Sequence, residues 1–523
     1  MPNMTLNLCR SLIAVVAFAN AAPVYAQDPQ TSLDMAAVEQ AWSAGDFVQA
    51  RKGLAHLAET QATPLTQYRY GRILIEGRGG PQNVSDGITW LEKAVAQNHL
   101  EAATLLARVV LSLSGEARDP KRAAALFTNA AARGNAEAQY YLGLLHQAGT
   151  GVEIDPVAAF NWFLASSEGF NPQAQFELSK AYATGDGTTP NQVEALRWLQ
   201  EAANSGVLDA QYSLAISYEQ GAGIGQSERN AIQWYKRAAE AGHILSQRTM
   251  GTKYMQGLNG DAPDAPEALR WLTAAANAGD PGAMNNLAIG YAQGTVFTRD
   301  DALAVNFYKA ASDLNLGRAT LALAGMTEIG RGTEANIKEA IDLYQLAATQ
   351  GADAGLTRVS QLALTGQLDA LFAPHDLVEW IAPRLSQPDN EGAIKWMQSQ
   401  ANNKVRSAQA ELGTWLLTQD GRSSDAIALL ENAATAGHVP SQFRLGMAFS
   451  TGDGAELDYI QSYAWLNIAA ASGHKSATET RGLIVELMTT EQLTEAQNIT
   501  RSYFQNASSR APQTEQTVTK VTK

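Results

Sequence analysis

The 523-residue chain has one cysteine, Cys9, and fewer basic than acidic residues. A single cysteine excludes a disulfide framework, a four-cysteine zinc site and an iron–sulfur cluster held by the chain's own thiolates. The 38 Lys and Arg residues against 52 Asp and Glu residues give a formal net charge of -14. This balance argues against nucleic acid and anionic membrane surfaces as partners, because both are bound through an excess of Lys and Arg.

An apolar stretch near the start of the chain, from Leu12 to Ala22, is too short to span a bilayer. Arg10 precedes it, and a small-residue cleavage pattern follows and ends at Ala26. This arrangement is typical of a signal peptide, so we predict cleavage after Ala26 and no membrane-spanning segment in the mature chain. Cys9 would leave with residues 1–26. Because Cys9 precedes the apolar stretch, it does not fit the pattern of a lipoprotein anchor.

The predicted signal peptide places the protein outside the cytoplasm. The Gram-negative periplasm is the predicted location, and secretion to the extracellular medium is the alternative. A eukaryotic lumen stays open as a further alternative, because Asn83, Asn498 and Asn506 begin triplets that fit the glycosylation acceptor pattern.

Hydrophobic residues make up 45% of the chain and charged residues 17%, which is enough apolar surface to bury a core. Trp198, Trp234 and Trp271 are each followed, after the same interval, by a glycine, and these glycines lie 36 and 37 residues apart. Asn98 takes the place of this glycine near the front, and the position recurs at Gly134, Gly169, Gly351, Gly437 and Gly473. The array therefore runs from about Thr63 to Gly473, on the order of eleven units.

Each unit contains two amphipathic helical patterns separated by a glycine-rich break. Ala210, Leu214 and Tyr218 form one stripe of a first helix, and Ala231, Trp234, Tyr235 and Ala238 form one stripe of a second. The breaks between the two patterns have the form G-x-G at Gly149, Gly185, Gly221, Gly330 and Gly452. One helix pair cannot bury its own apolar stripe, so the units must stack. The predicted fold is all-α, a right-handed α-solenoid of two-helix repeats of about 36 residues.

These units resemble the Sel1-like repeat (SLR), a longer relative of the tetratricopeptide repeat. The resemblance is carried by the segment from Ala138 to Gly151 and by the segment from Trp234 to Gly242. It implies an α-solenoid that acts as an adaptor in envelope assembly, polysaccharide export, secretion or control of sensor kinases. Some cysteine-rich relatives are linked to binding or hydrolysing cell-wall compounds, but the mature chain has no cysteine to match theirs.

The repeat pattern and its interruptions predict the domain organisation. A proline-containing segment interrupts the array and is predicted to be either a hinge or a docking insert. A capping helix is predicted near Met488 to Gln497, with Thr489 or Thr490 as its N-cap. The predicted segments are a signal peptide (1–26), an N-terminal capping hairpin (27–62), repeats (63–366), the insert (367–391), further repeats (392–473), C-terminal capping helices (474–507) and a disordered tail (508–523).

The G-x-G breaks and the histidines are interpreted as structural. The breaks lie between helices and lack a following Gly-Lys-Ser/Thr, so they are turns rather than phosphate-binding loops. Four histidines directly follow the residue that ends a unit, where a polar residue starts the next helix: His99, His243, His438 and His474. Successive copies would lie about 10 Å apart, too far to share a zinc ion. His375 and Glu379 have i, i+4 spacing but no third ligand, so no metal, cofactor or catalytic residue is predicted.

Most tryptophans share one position of the second helix and are therefore predicted to be core residues: Trp90, Trp162, Trp198, Trp234, Trp271, Trp396 and Trp465. Trp42, Trp380 and Trp415 lie outside this position. Trp380, near Leu371 and Phe372, is the one to test as a surface contact, although a core position is expected there too. A recurrent glutamine of the first helix is predicted to bond between helices: Gln139, Gln175, Gln211, Gln247, Gln409 and Gln442.

Two functions are compatible with these patterns. The favoured hypothesis is a non-enzymatic, exported scaffold that binds a protein or peptide in a concave groove formed by the first helices. The alternative is a binder or hydrolase of glycans or cell-wall compounds on the same solenoid, dependent on Trp380 or His375.

Overall fold

The computed structural model describes residues 34–419 and 421–508. The predicted signal peptide, with Cys9, and residues 509–523 of the predicted tail lie outside this part of the chain. The described residues form twenty-seven α-helices and no β-strand, which confirms the predicted all-α solenoid of stacked helix pairs. They divide into two compact units, the first ending at Asp280 and the second beginning at Pro281.

The first unit contains fourteen of the described helices. They are α1 (Met35–Ser43), α2 (Phe47–Thr60), α3 (Pro64–Glu76), α4 (Val84–Ala96), α5 (Leu100–Ser112), α6 (Pro120–Ala132), α7 (Ala136–Ala148), α8 (Pro156–Glu168), α9 (Pro172–Thr184), α10 (Gln192–Asn204), α11 (Leu208–Gln220), α12 (Glu228–Glu240), α13 (Ile244–Gln256) and α14 (Ala265–Asn277).

The second unit contains the remaining thirteen. They are α15 (Pro281–Gln293), α16 (Asp301–Asp313), α17 (Gly317–Ile329), α18 (Ile337–Thr349), α19 (Ala354–Leu364), α20 (Pro374–Ile381), α21 (Glu391–Asn402), α22 (Arg406–Leu416), α23 (Ser423–Thr435), α24 (Val439–Thr451), α25 (Tyr459–Ala471), α26 (Lys475–Val485) and α27 (Thr490–Ser508).

Regular pairing extends from α3 to α18, where every helix has 13 residues. We call the first helix of each pair the A helix and the second the B helix. Each A helix packs most closely against the B helix that follows it. Small residues allow this close approach, and the stripe predicted from Ala210 and Leu214 in α11 and from Ala231 and Tyr235 in α12 is buried.

The two glycines of a G-x-G break have different roles. The first ends the A helix in the left-handed conformation, as Gly185 does with φ of 84°. The second, Gly187, also has positive φ, but a Cβ there would lie 2.0 Å from the carbonyl oxygen of Pro156, at the start of α8 in the preceding repeat. Gly151 and Gly332 approach their preceding repeats in the same way. These second glycines therefore shape the contact between repeats as well as the turn.

The sequence alignment placed Gly169 at the turn that ends a unit, and this assignment is wrong. Gly169 has φ of -80°, whereas Phe170 takes the left-handed conformation with φ of 59°. Helix α8 ends at Glu168 after 13 residues, so the left-handed position falls on Phe170, in the same register as Gly134 after α6. Phe170 is 85% exposed. The repeat pattern matches the glycine itself, whereas the length of the preceding helix determines which residue takes the left-handed conformation.

The predicted insert at 367–391 contains a short helix that belongs to the core. The inner side of α20 and the segment after it is buried in the largest apolar cluster of the second unit: Leu377, Val378, Ile381 and Leu385. Helix α20 packs against both α19 and α22, and it separates α19 from its expected partner α21. The segment is therefore a wedge inside the array, whose outer side is exposed and includes His375 and Glu379.

Helical hairpins lie at both ends of the described chain. At the start, Val38 of α1 and Leu54 of α2 form an apolar cluster that reaches Ile73 of α3. At the other end, α27 packs on α25. Thr489 is its N-cap, because its Oγ1 accepts a hydrogen bond from the Gln492 N–H while the Gln492 side chain accepts one from the Thr489 N–H. This reciprocal pair is a capping box.

Candidate interaction surface

The repeated histidines cap the A helices. In each case the ring Nδ1 accepts a hydrogen bond from the backbone N–H three residues further on, at 3.2 to 3.3 Å: His99, His243, His438 and His474. Three of these rings also contact an aromatic residue of the preceding A helix, such as Phe443, whose centroid lies 4.3 Å from that of His474. The histidine rings therefore cap helices, and three of them also pack between neighbouring repeats.

His99 gives a testable pH dependence. Burial lowers the pKa of its imidazole, although the nearby Glu101 carboxylate acts in the opposite direction. The unfolded chain, with an ordinary pKa of about 6.5, therefore binds the proton more readily than the folded chain. The stabilisation is complete above about pH 6.5 and is lost as the pH falls through the lower pKa of the folded state.

We expect the start of α5 to lose about 1 kcal/mol of protection in acid, because a protonated Nδ1 cannot accept the Ala102 N–H. Hydrogen exchange of the Ala102 amide at pH 7.5 and pH 5.0, corrected for intrinsic exchange, measures this loss. The control is His99→Asn, which keeps a capping acceptor without a titrating ring and should lose the dependence. An equal pH effect in both proteins would contradict the explanation.

The recurrent glutamine bonds between helices, as predicted, in five of its six copies. Its side-chain amide donates to a backbone carbonyl near the end of the preceding B helix, at 3.0 to 3.2 Å: Gln139, Gln211, Gln247, Gln409 and Gln442. Each of these carbonyls also accepts a backbone N–H from the turn that follows its helix, so the glutamine adds a second hydrogen bond that ties the next A helix to that turn. Gln175 has no corresponding amide bond among the described residues, and its buried Oε1 has no partner there.

Two polar networks were not foreseen from the sequence. The Tyr235 hydroxyl donates to Glu219 Oε2 at 2.8 Å, and Lys253 donates to Glu219 Oε1 at 2.5 Å. In the second unit, Tyr344 and Arg358 make the same arrangement with Glu328. The shared 16-residue spacing between the glutamate and the tyrosine is the signal that could have revealed both.

These networks connect repeats rather than activate a nucleophile. Burial, reinforced by the hydrogen bond to Glu219, raises the pKa of Tyr235 well above its usual value, so the phenol stays protonated. Burial also acts to raise the pKa of Glu219, but the hydrogen bonds from Lys253 and Tyr235 outweigh it and the pKa is lowered. The protonated phenol on α12 and the Lys253 ammonium on α13 both donate to the ionised Glu219 carboxylate on α11, so the network joins three helices.

The seven tryptophans share the B-helix surface, but the prediction that all are core residues is wrong. Trp271 is 3% exposed and the other six are half-buried, because the deepest position is the next residue, for example Tyr235 after Trp234. Four of the rings carry a cation over the face at 3.6 to 5.2 Å: Trp90, Trp198, Trp234 and Trp271. A sugar stacking on these faces would have to displace Lys or Arg.

The candidate residues of the insert do not form one site. The His375 ring lies 3.3 Å from Asp376, and the Asp376 carboxylate also accepts the Ala373 N–H. The structure records no bond between His375 and Glu379, and no group of three or more metal-ligating side chains occurs among the described residues. Trp380 is half-buried, and its ring packs edge-on against Phe372 with centroids 4.9 Å apart.

A groove of about 460 Å³ lies on the A helices near the end of the second unit. Its wall includes Phe443, Arg444 and Met447 of α24, together with Leu417 after α22 and His474 before α26. No local pattern in the sequence predicts this groove, because it depends on the relative lengths of α22, α24 and α26. Among the described helices, none combines the length and hydrophobicity that crossing a membrane requires.

The Sel1 repeat family model matches nine segments that together cover more than half of the chain. They are residues 64–99, 100–135, 136–169, 172–207, 208–243, 245–280, 281–316, 317–351 and 439–474. The chain belongs to the Sel1 repeat family. Each matched segment is one A–B helix pair, and residues 352–438, which the family model does not match, contain the wedge helix α20 and its neighbours. Sel1 repeat proteins are helical scaffolds for protein–protein interaction.

Two solved structures are similar to this Sel1 repeat protein. One is c5321, a protective antigen of uropathogenic Escherichia coli with an SLR fold, which is 24% identical over 87% of this chain and 94% of c5321, with a TM-score of 0.53. The other is a Sel1 repeat protein from Oxalobacter formigenes, 23% identical over 68% of this chain and 99% of that one, with a TM-score of 0.44. The likeness to c5321 supports the fold. A search of curated proteins found no match.

Proposed function

We propose that this Sel1 repeat protein is an exported, non-enzymatic scaffold that binds a protein or peptide through its A helices. The groove on α24 carries the proposal, since it is an apolar depression with a charged side chain on the helices predicted to form the binding face. The polar clusters of the repeats are engaged in capping and in contacts between helices. The glycan-binding alternative is less favoured, because cations cover four tryptophan faces and Trp380 packs on Phe372.

The proposed location is the Gram-negative periplasm, with secretion as the alternative, and it rests on the signal-peptide pattern of residues 1–26. It is tested together with the binding face by photo-crosslinking in cells. A photoreactive residue is placed at exposed A-helix positions Lys180 and Thr451, the second of which lines the groove on α24, and at exposed B-helix positions Glu201 and Lys236. The mature N-terminus is determined on the purified product.

We expect a mature chain that begins at Gln27, and discrete adducts from the A-helix positions in the periplasmic fraction or the medium. The B-helix positions are the matched controls and should give none. An uncleaved cytoplasmic chain would refute export. Adducts from the B helices alone, or none from any position, would refute the proposed binding face.

A further inference from the structure

The groove on α24 exists because its neighbouring A helices are short. Helix α24 has 13 residues, but α22 and α26 have 11 each. Helix α22 ends at Leu416. The side chain of the next residue, Leu417, lies against the following G-x-G break, where a Cβ on Gly454 would be 2.6 Å from it. The last turn of α24, from Met447 to Thr451, therefore has no full-length A helix beside it.

The lining of the groove is largely apolar, and exposed apolar side chains also occur on α26. Phe443 and Met447 are half-buried, and Phe443 is held in place by its stacking on His474. Leu483 is the ninth residue of α26, the position that Met447 has in α24, and it is 65% exposed. Leu487, one helical turn further on, is 58% exposed. Large apolar side chains with such high exposed fractions are typical of an interaction surface, whereas the terminal repeat of an array usually has a polar outer face.

Arg444 is the charge at the centre of this surface. Several other basic residues of the A helices pair with carboxylates of neighbouring elements, as Arg108 does with Glu137 at 2.8 Å and Arg248 with Asp280 at 2.9 Å. The exposed side chain of Arg444 makes no hydrogen bond or ion pair with any residue in the described ranges 34–419 and 421–508. An unpaired guanidinium beside apolar side chains fits a carboxylate that arrives with a partner.

We propose that this groove binds an internal segment of a partner protein in which an Asp or Glu lies between apolar residues. The carboxylate accepts hydrogen bonds from the Arg444 guanidinium, and the apolar side chains pack on Leu417, Phe443 and Met447. Asp453 also lines the groove. Its carboxylate would repel the terminal carboxylate of a chain but can accept backbone N–H groups of an internal segment. The inference rests on the proposed scaffold function and names the chemistry of its partner.

The test uses the full mature chain and three capped peptide libraries whose centre is fixed as apolar–Glu–apolar, apolar–Gln–apolar or apolar–Lys–apolar. Fluorescence anisotropy measures the binding of each library. We expect the Glu library to bind at least about tenfold more tightly than the Gln library, as a charge-assisted bidentate pair allows. Arg444→Gln should abolish this preference, and Arg444→Glu should transfer it to the Lys library.

The matched control is Arg318→Gln, which removes another exposed A-helix arginine of the same unit that has no recorded partner among the described residues. It should keep the preference for Glu. Thermal unfolding checks that each variant is folded. Equal binding of the Glu and Gln libraries, or an unchanged preference in Arg444→Gln, would overturn the inference. If the A helices still crosslink a partner in cells, that result would leave the scaffold function intact, so the two failures are distinguishable.

Discussion

Replacing Gly187 with alanine is expected to lower the free energy of unfolding by about 2–5 kcal/mol. Two costs add at this position. The backbone has φ of 73°, where an L side chain costs about 1–2 kcal/mol. The new Cβ would also lie 2.0 Å from the Pro156 carbonyl oxygen and would push two repeats apart, and such overpacking costs about 1–3 kcal/mol. Urea unfolding, followed by circular dichroism, measures the sum.

The matched control is Gly223→Ala. Gly223 is the second glycine of its own G-x-G break and has the same φ of 73°, but a Cβ there would meet nothing within 4 Å. Only the conformational cost remains, so we expect a loss of about 1–2 kcal/mol. Equal losses at the two positions would show that the close contact between repeats contributes nothing. Because the stability of a repeat array is local, hydrogen exchange of α8 and α10 should show the Gly187→Ala effect at the affected interface.

Replacing Ile381 with alanine is expected to lower the free energy of unfolding of the second unit by about 2–5 kcal/mol. The side chain is fully buried in the apolar cluster that joins α20 to α19, α21 and α22. Its removal loses transfer free energy and leaves a cavity. Urea unfolding, with hydrogen exchange to localise the loss, measures the effect.

The control on the same helix is Glu379→Ala, which changes an exposed side chain and should alter the free energy by no more than about 0.5 kcal/mol. Similar small effects at both positions would mean that α20 is a detachable insert. With the expected result, deletion of 367–391 would remove Leu377 and Ile381, expose the rest of the cluster on α19, α21 and α22, and unfold this region. Loss of a partner after that deletion would then say nothing about docking, so substitutions on the exposed side of α20 are the appropriate test.

Local patterns predicted the repeated elements well. The i, i+4 stripe through Ala210 and Leu214 identifies a helix because apolar residues at that spacing share one side of it. The histidines were placed correctly at helix starts, since a short polar side chain after a turn residue can cap the next helix. The recurrent glutamine of the first helix was predicted to bond between helices, because its repetition within one chain indicated a structural role.

Prediction was poorer where the conformation or the burial of a residue depends on how it packs against its neighbours. Phe170 lies at a left-handed position that sequence alignment gave to Gly169, because alignment matches letters whereas helix length sets the register. The tryptophans share a position, but whether that position is deep or half-buried depends on how the B helices lie in the array. The prolines of the insert led to the prediction of a hinge or a docking insert, and only packing reveals that Ile381 is buried.

The sequence by itself determined the repeat, its two helices, its turns and its caps, because these follow from patterns within a span of about forty residues. Only the tertiary structure decided which glycine touches the preceding repeat, which polar groups bond across helices, and where a groove opens. Those features arise from atoms brought together from distant parts of the chain. The groove beside Arg444 depends on two neighbouring helices that end early, and no single repeat contains that information.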